Sequence, residues 1–196
     1  MNISKAKLGT GRRFIVDVGR DPYTREKVLQ NGSKLFLDPS YRPTWHAKID
    51  GIVHAPYRGS DVERGEKLYF HYTCVEMDDS LQYVDGDLYL MVPSDLCFFA
   101  VSSNGRVRTL NSHIGILPYK EEPKVLSNGL YATSNAIKSE KQGLVIYHSD
   151  KSMVGKKVLF HPRNAFENEI EGQKLYVMQE DDLLAVIDDW LDESTS

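Results

Sequence analysis

Short apolar runs, each bounded by Gly, Asn, Asp, Ser or Pro, follow one another along the whole chain. Within them the hydrophobic positions alternate. Leu68 and Phe70 in GEKLYFH, and Val158 and Phe160 in GKKVLFH, are spaced two apart among polar or aromatic neighbours. Period-two spacing marks a strand with one buried face. The same reading predicts strands at Arg13 to Val18, Lys48 to His54, Leu88 to Val92 and Cys97 to Val101. It predicts a matching set at His113 to Pro118, Lys141 to His148, Leu175 to Gln179 and Leu184 to Asp188. The match is an internal repeat. Gly65 to His71 aligns with Gly155 to His161, and Leu88-Tyr89-Leu90-Met91 with Leu175-Tyr176-Val177-Met178, the second copy having the shorter intervening loop. Self-similarity of this kind marks two copies of one structural unit.

Glycines inside the strand-like runs at Gly51 and Gly143 mark a bulge or a close backbone approach. Polar stretches at Gly19 to Lys34 and Tyr119 to Gly129 read as long loops, and Glu76 to Tyr83 and Arg163 to Gln173 as shorter ones. Each long loop ends in an apolar island after an Asn-Gly pair. Leu35-Phe36-Leu37 and Leu130-Tyr131-Ala132 are each either a short strand or an exposed anchor, with the strand favoured. Ser102 to Arg106 is expected to link the halves, and Trp190-Leu191 to add one helical turn. The expected fold is all-β, with a first domain at 1–104 and a second at 105–196 that ends in an acidic tail.

Composition narrows the partners. A net charge of −4 and a pI near 5.9, with scattered basic residues, argue against nucleic acid. No apolar run has the length of a membrane helix, and the first residues lack the apolar core of a signal peptide. Cys74 and Cys97 form no CxxC and suit a reducing compartment. A soluble, cytoplasmic protein is therefore expected.

The stretch Val154 to Asp188, together with Asn128 to Val145, resembles the GroES or chaperonin-10 family. The family's pattern runs V-G-D-x-V-h-F, then a loop, then a Glu-bearing Y/L-x-h-M/F-x-E-x-D-h-L-A-h-h closing strand. The resemblance covers most of 113–188 and, through the repeat, 13–101. It implies two tandem GroES-like small β-barrels with long mobile-type loops, a layout similar to the double-domain co-chaperonins of chloroplasts. It further implies binding to the apical domains of a chaperonin through hydrophobic loop tripeptides, helping to cap the folding chamber as a homo-oligomeric ring. Carried over by position, the chaperonin-binding residues are Leu35, Phe36 and Leu37, with Asp38-Pro39 limiting the loop beyond them, and Leu130, Tyr131 and Ala132. The second triplet departs from the family pattern because Ala132 buries less area than Leu. The roof hairpin found in the family is missing between Val53 and Gly65 and between Ile146 and Gly155. The ring of seven domains is a number that two-domain chains do not fill evenly.

The residues disfavour other chemistry. His71-Tyr72-Thr73-Cys74 is an HxxC, but His71 and His161 occupy equivalent repeat positions, which favours packing over a metal. Gly9-Thr10-Gly11 lacks the preceding strand and third glycine of a dinucleotide fingerprint, and no nucleophile elbow, P-loop or HExxH occurs. Glu167, Glu169 and Glu171 read as a solvated face. No enzyme, cofactor, metal or small-molecule substrate is expected. The alternative function is a non-enzymatic structural or assembly protein, such as a phage virion component, built from the same two modules.

Overall fold

The computed structural model describes residues 9, 11–29, 31–40, 42–84, 86–119, 124–125, 131–132, 141–161, 163 and 165–187. The expected tail and the turn at Trp190-Leu191 lie outside them. The chain divides into two compact units, Met1–Asn111 and Ser112–Ser196, both all-β.

In the first unit, β1 (Arg13–Asp17), β4 (Asp50–Ala55), β5 (Lys67–Phe70), β6 (Leu81–Val84), β7 (Asp87–Pro93), β8 (Cys97–Val101) and β9 (Val107–Thr109) form one antiparallel sheet. Its order is β6-β7-β1-β4-β5-β8-β9. A separate hairpin, β2 (Glu26–Val28) with β3 (Lys34–Phe36), projects from the connection between β1 and β4. A single helical turn, α1 (Thr73–Glu76), precedes β6.

The second unit repeats this plan. It contains β10 (His113–Pro118), β11 (Lys124–Val125), β12 (Tyr131–Ala132), β13 (Lys141–Tyr147), β14 (Lys157–Phe160), β15 (Phe166–Ile170), β16 (Gln173–Gln179) and β17 (Leu183–Ile187). The sheet order β15-β16-β10-β13-β14-β17 is the first unit's order without its last strand. Even the irregularities recur: register shifts fall at Ile15/Val16 and Gly115/Ile116, and again at Tyr69/Phe70 and Leu159/Phe160.

Alternation sends Phe14, Val16, Leu68, Phe70, Leu88, Leu90 and Val92 into one core. Ile15, on the other face of β1, packs with Ala55 and Tyr89 in a small second cluster. The second unit's core is Ile114, Ile116, Val145, Val158, Phe160, Tyr176 and Met178. Gly51 is needed for close approach, since a Cβ there would stand 2.6 Å from the Asp17 carbonyl oxygen and from Val16 Cγ1.

Three local expectations change. Ser102 to Arg106 is a hairpin turn inside the first unit, not the link: the Ser102 N–H donates to the Arg106 carbonyl at 3.1 Å, and β9 pairs with β8 from Val107 to Thr109. The boundary therefore moves from 104/105 to 111/112, where the Asn111 side chain donates to the Ser94 and Cys97 carbonyls. Glu76 to Tyr83 and Arg163 to Gln173 are not simple loops. They contain β6 and β15, which satisfy their backbone groups by pairing with β7 and β16. The single helical turn α1 is too short to show a helical period and leaves the fold all-β.

Candidate partner-binding loops

The long connection between β1 and β4 is ordered from its stem outward. Tyr23 bridges to Ala47, the Thr24 N–H donates to the His46 carbonyl at 2.7 Å, and the Lys48 N–H donates to the Pro22 carbonyl at 2.9 Å. Above the stem, Glu26 lies opposite Phe36, Lys27 opposite Leu35 and Val28 opposite Lys34. The Leu37 N–H donates to the Arg25 carbonyl at 2.8 Å and extends the ladder by one pair. At the tip the Gly32 N–H donates to the Leu29 carbonyl, and Gly32 has φ +81, a backbone conformation that side chains oppose. Asn31 Oδ1 accepts from the Ser33 N–H at 3.0 Å. The tip is a turn braced by its own side chain.

This geometry separates the expected triplet. Residues facing each other across an antiparallel pair share a face of the ribbon, and neighbours along a strand point to opposite faces. Phe36, Val28, Glu26 and Lys34 are thus on one side. Leu35, Leu37, Lys27 and Leu29 are on the other. The Lys34 ammonium reaches Glu26 Oε2 at 2.9 Å, as two groups on one face should. Phe36 is 73% exposed and Leu35 47%, whereas Leu37 is half-buried at the hairpin's base and Pro39 is buried. Val28, 65% exposed, escaped the sequence reading because it sits in the polar run before the Asn-Gly turn. Its only signal was the pairing partner that a hairpin centred on Asn31-Gly32 would assign to it.

Electrostatics hold the ends of the hairpin. Burial pushes the Asp21 carboxyl up, but the Arg25 hydrogen bond, the Tyr23 N–H and the charges of Arg25 and Lys48 outweigh it and hold it below its ordinary value. The Glu26 hydrogen bond raises Lys34. Past the triplet, Asp38 accepts from the Ser40 hydroxyl at 2.6 Å and from the Ser40 N–H at 2.9 Å, and both bonds lower its carboxyl.

The second long connection has a hairpin at the same place, between β10 and β13. Lys124 pairs with Ala132 and Val125 with Tyr131, so here too the second strand carries the apolar island. Leu130 lies outside the described residues, and for Tyr131 and Ala132 the backbone pairing alone is described. An apolar groove of about 470 Å³ opens near the base of this connection, walled by Leu117, Leu144 and Ile187 over Gly143. At the corresponding place in the first unit Lys67 is ion-paired to Asp50 at 3.3 Å.

The histidines of the repeat have a shared local task. His71 Nδ1 accepts from the Thr73 N–H at 3.3 Å and lies 2.8 Å from Thr73 Oγ1, and His161 Nδ1 accepts from the Arg163 N–H at 3.2 Å. Each ties down the turn after its strand. Burial lowers His71, against the opposing charge of Glu76, and raises the Cys74 thiol to about 12. Among the described residues, no group of three or more His, Cys, Asp or Glu side chains is placed to hold a metal ion, and no helix is long and apolar enough to cross a membrane.

No protein-family model matches the chain, and no curated protein matches it.

Proposed function

We propose that the chain is a two-domain, non-enzymatic co-chaperonin that engages the apical domains of a chaperonin through its loop hairpins and helps to close the folding chamber. The observation that carries this reading is the recurrence of one device at one place. In both units the first two central strands of the sheet are joined by a long connection folded into a hairpin, and the apolar island lies on the hairpin's second strand. A buried packing element would hide its apolar residues. The first hairpin instead displays Val28, Leu29, Leu35 and Phe36 to solvent.

Burying one such side chain in a partner's groove is worth about 1.5–3 kcal/mol. Immobilising side chains on binding costs about 0.5–1.5 kcal/mol each, and a pre-formed hairpin reduces the ordering required. Single contacts are thus weak, and several loops acting in one assembly multiply them. Assembly as a homo-oligomer is supported by β17. Its counterpart β8 is flanked by β9, but among the described residues no strand lies on the outer edge of β17, where Leu184 and Val186 are exposed. An exposed apolar edge invites a strand from another chain.

That edge also favours the second reading, a structural or assembly protein that uses the two units as packing modules. The two readings separate in one assay. ATP turnover by a purified bacterial double-ring chaperonin is measured with the full chain and with a variant whose residues 25–37 are replaced by a short Gly-Ser turn. The co-chaperonin reading expects the full chain to change turnover and the variant to leave it unchanged. Equal effects of both, or of neither, would sink it.

A further inference from the structure

We propose that the docking surface of the first hairpin is the face bearing Val28 and Phe36, not the contiguous triplet, and that it seats in an uncharged apolar groove. This inference rests on the co-chaperonin reading and specifies which side chains make the contact. The cross-strand register places Val28 opposite Lys34 and Glu26 opposite Phe36, so those four residues form one face of the ribbon. Phe36 and Val28 are 73% and 65% exposed, the two most exposed large apolar residues of the hairpin. The other two members, Glu26 and Lys34, bind each other at 2.9 Å. Their charges cancel, and the face as a whole presents apolar area without net charge.

The opposite face is differently built. Leu35 lies beside Lys27, and Leu37 beside Arg25, which is ion-paired with Asp21. Leu37 is already half-buried, and the exposed part of this face carries Lys27 beside Leu35. A flat groove that accepted Phe36 could not accept Leu35 at the same time, because adjacent residues of a strand point to opposite sides. Charge complementarity therefore selects the partner. The Val28–Phe36 face fits a groove lined by apolar side chains and free of charge, since a charged groove would meet a pair that has no charge left to offer.

The test measures binding of the full-length chain to a purified bacterial double-ring chaperonin in the presence of ATP, with Val28→Ser, Phe36→Ser and Leu35→Ser compared at low and high salt. Thermal melting of each variant controls for folding. Losing either apolar contact on the docking face is expected to weaken binding roughly ten- to a hundredfold. Leu35→Ser is expected to change it by less than about threefold, and salt to alter the wild type by less than about threefold over the Debye range. Glu26→Lys should weaken binding, and Glu26→Lys combined with Lys34→Glu should restore it. If Leu35→Ser matches Phe36→Ser while Val28→Ser binds normally, the face assignment falls and the co-chaperonin reading stands. Equal losses in all three variants overturn the face assignment as well. A steep salt dependence rules out the uncharged groove. If the wild type does not bind with ATP, both the inference and the reading beneath it fail.

Discussion

Arg108 tests where the first unit ends. It lies on β9, and its Nη2 stands 2.5 Å from Glu66 Oε2 while its Nη1 donates to the Asp61 carbonyl at 2.9 Å. The side chains of the pair are 27% and 11% exposed. Replacing Arg108 with Ala removes a hydrogen bond to a charged group, worth about 1.5–3 kcal/mol, and a second to a neutral carbonyl, worth about 0.5–1.5 kcal/mol. The stranded carboxylate adds less than the roughly 3–5 kcal/mol of a fully buried broken pair. Glu66 keeps the Glu63 N–H at 2.8 Å and some access to water. The loss is therefore at least about 2 kcal/mol. With a urea slope of roughly 1–3 kcal/mol per molar, a loss of about 2 kcal/mol lowers the unfolding midpoint by about 0.7–2 M. Far-UV circular dichroism reads the midpoint, and hydrogen exchange at the amides of β8 assigns the loss to the first unit. Adding Glu66→Gln, which removes the stranded charge, should recover part of the loss with a coupling of at least ~0.5 kcal/mol. A loss below about 0.5 kcal/mol, the range of ordinary surface substitutions, would show that β9 does not belong to this unit energetically.

Phe160→Ala, at a fully buried core position, should destabilise the second unit by about 3–5 kcal/mol, whereas Phe36→Ala should stay within about 0.5 kcal/mol of wild type in the same urea titration. Cys74, its thiol raised by burial and by Asp95 to about 12, should resist a disulfide reagent at pH 8, where on the order of 10⁻⁴ of it is thiolate, and react only when urea unfolds the chain. The Asp38 carboxyl should titrate below its ordinary 3.8 by NMR and move back up in Ser40→Ala. Because its folded value is the lower one, the stability it contributes is present above the unfolded value and is lost as pH falls through the folded value.

The sheets were legible because their strands carry their own signal. Leu68 and Phe70, or Val158 and Phe160, alternate cleanly, and the repeat lets each half check the other. Strand β9 was hidden, since Val107-Arg108-Thr109 has no apolar pattern and is held by β8 and by the Arg108–Glu66 pair, which are contacts distant in sequence. Likewise Phe166 to Ile170 read as a solvated loop through Glu167 and Glu169, which are exposed, while Ile170, the pair after Glu169, is buried and anchors the strand. The candidate site was legible as a location only. In Leu35-Phe36-Leu37 every residue is apolar, and without alternation nothing says which side each one faces. The answer came from the partner strand, where Glu26 and Val28 define the face on which Phe36 stands.

The proposed function requires contact between this chain and a chaperonin. Sedimentation velocity of the full-length chain mixed with a purified bacterial double-ring chaperonin tests it most directly, with and without ATP. A co-chaperonin should give a faster-sedimenting complex containing both proteins that forms with ATP and is lost when Phe36 is replaced by Ser. Two species that sediment independently under both conditions would contradict it.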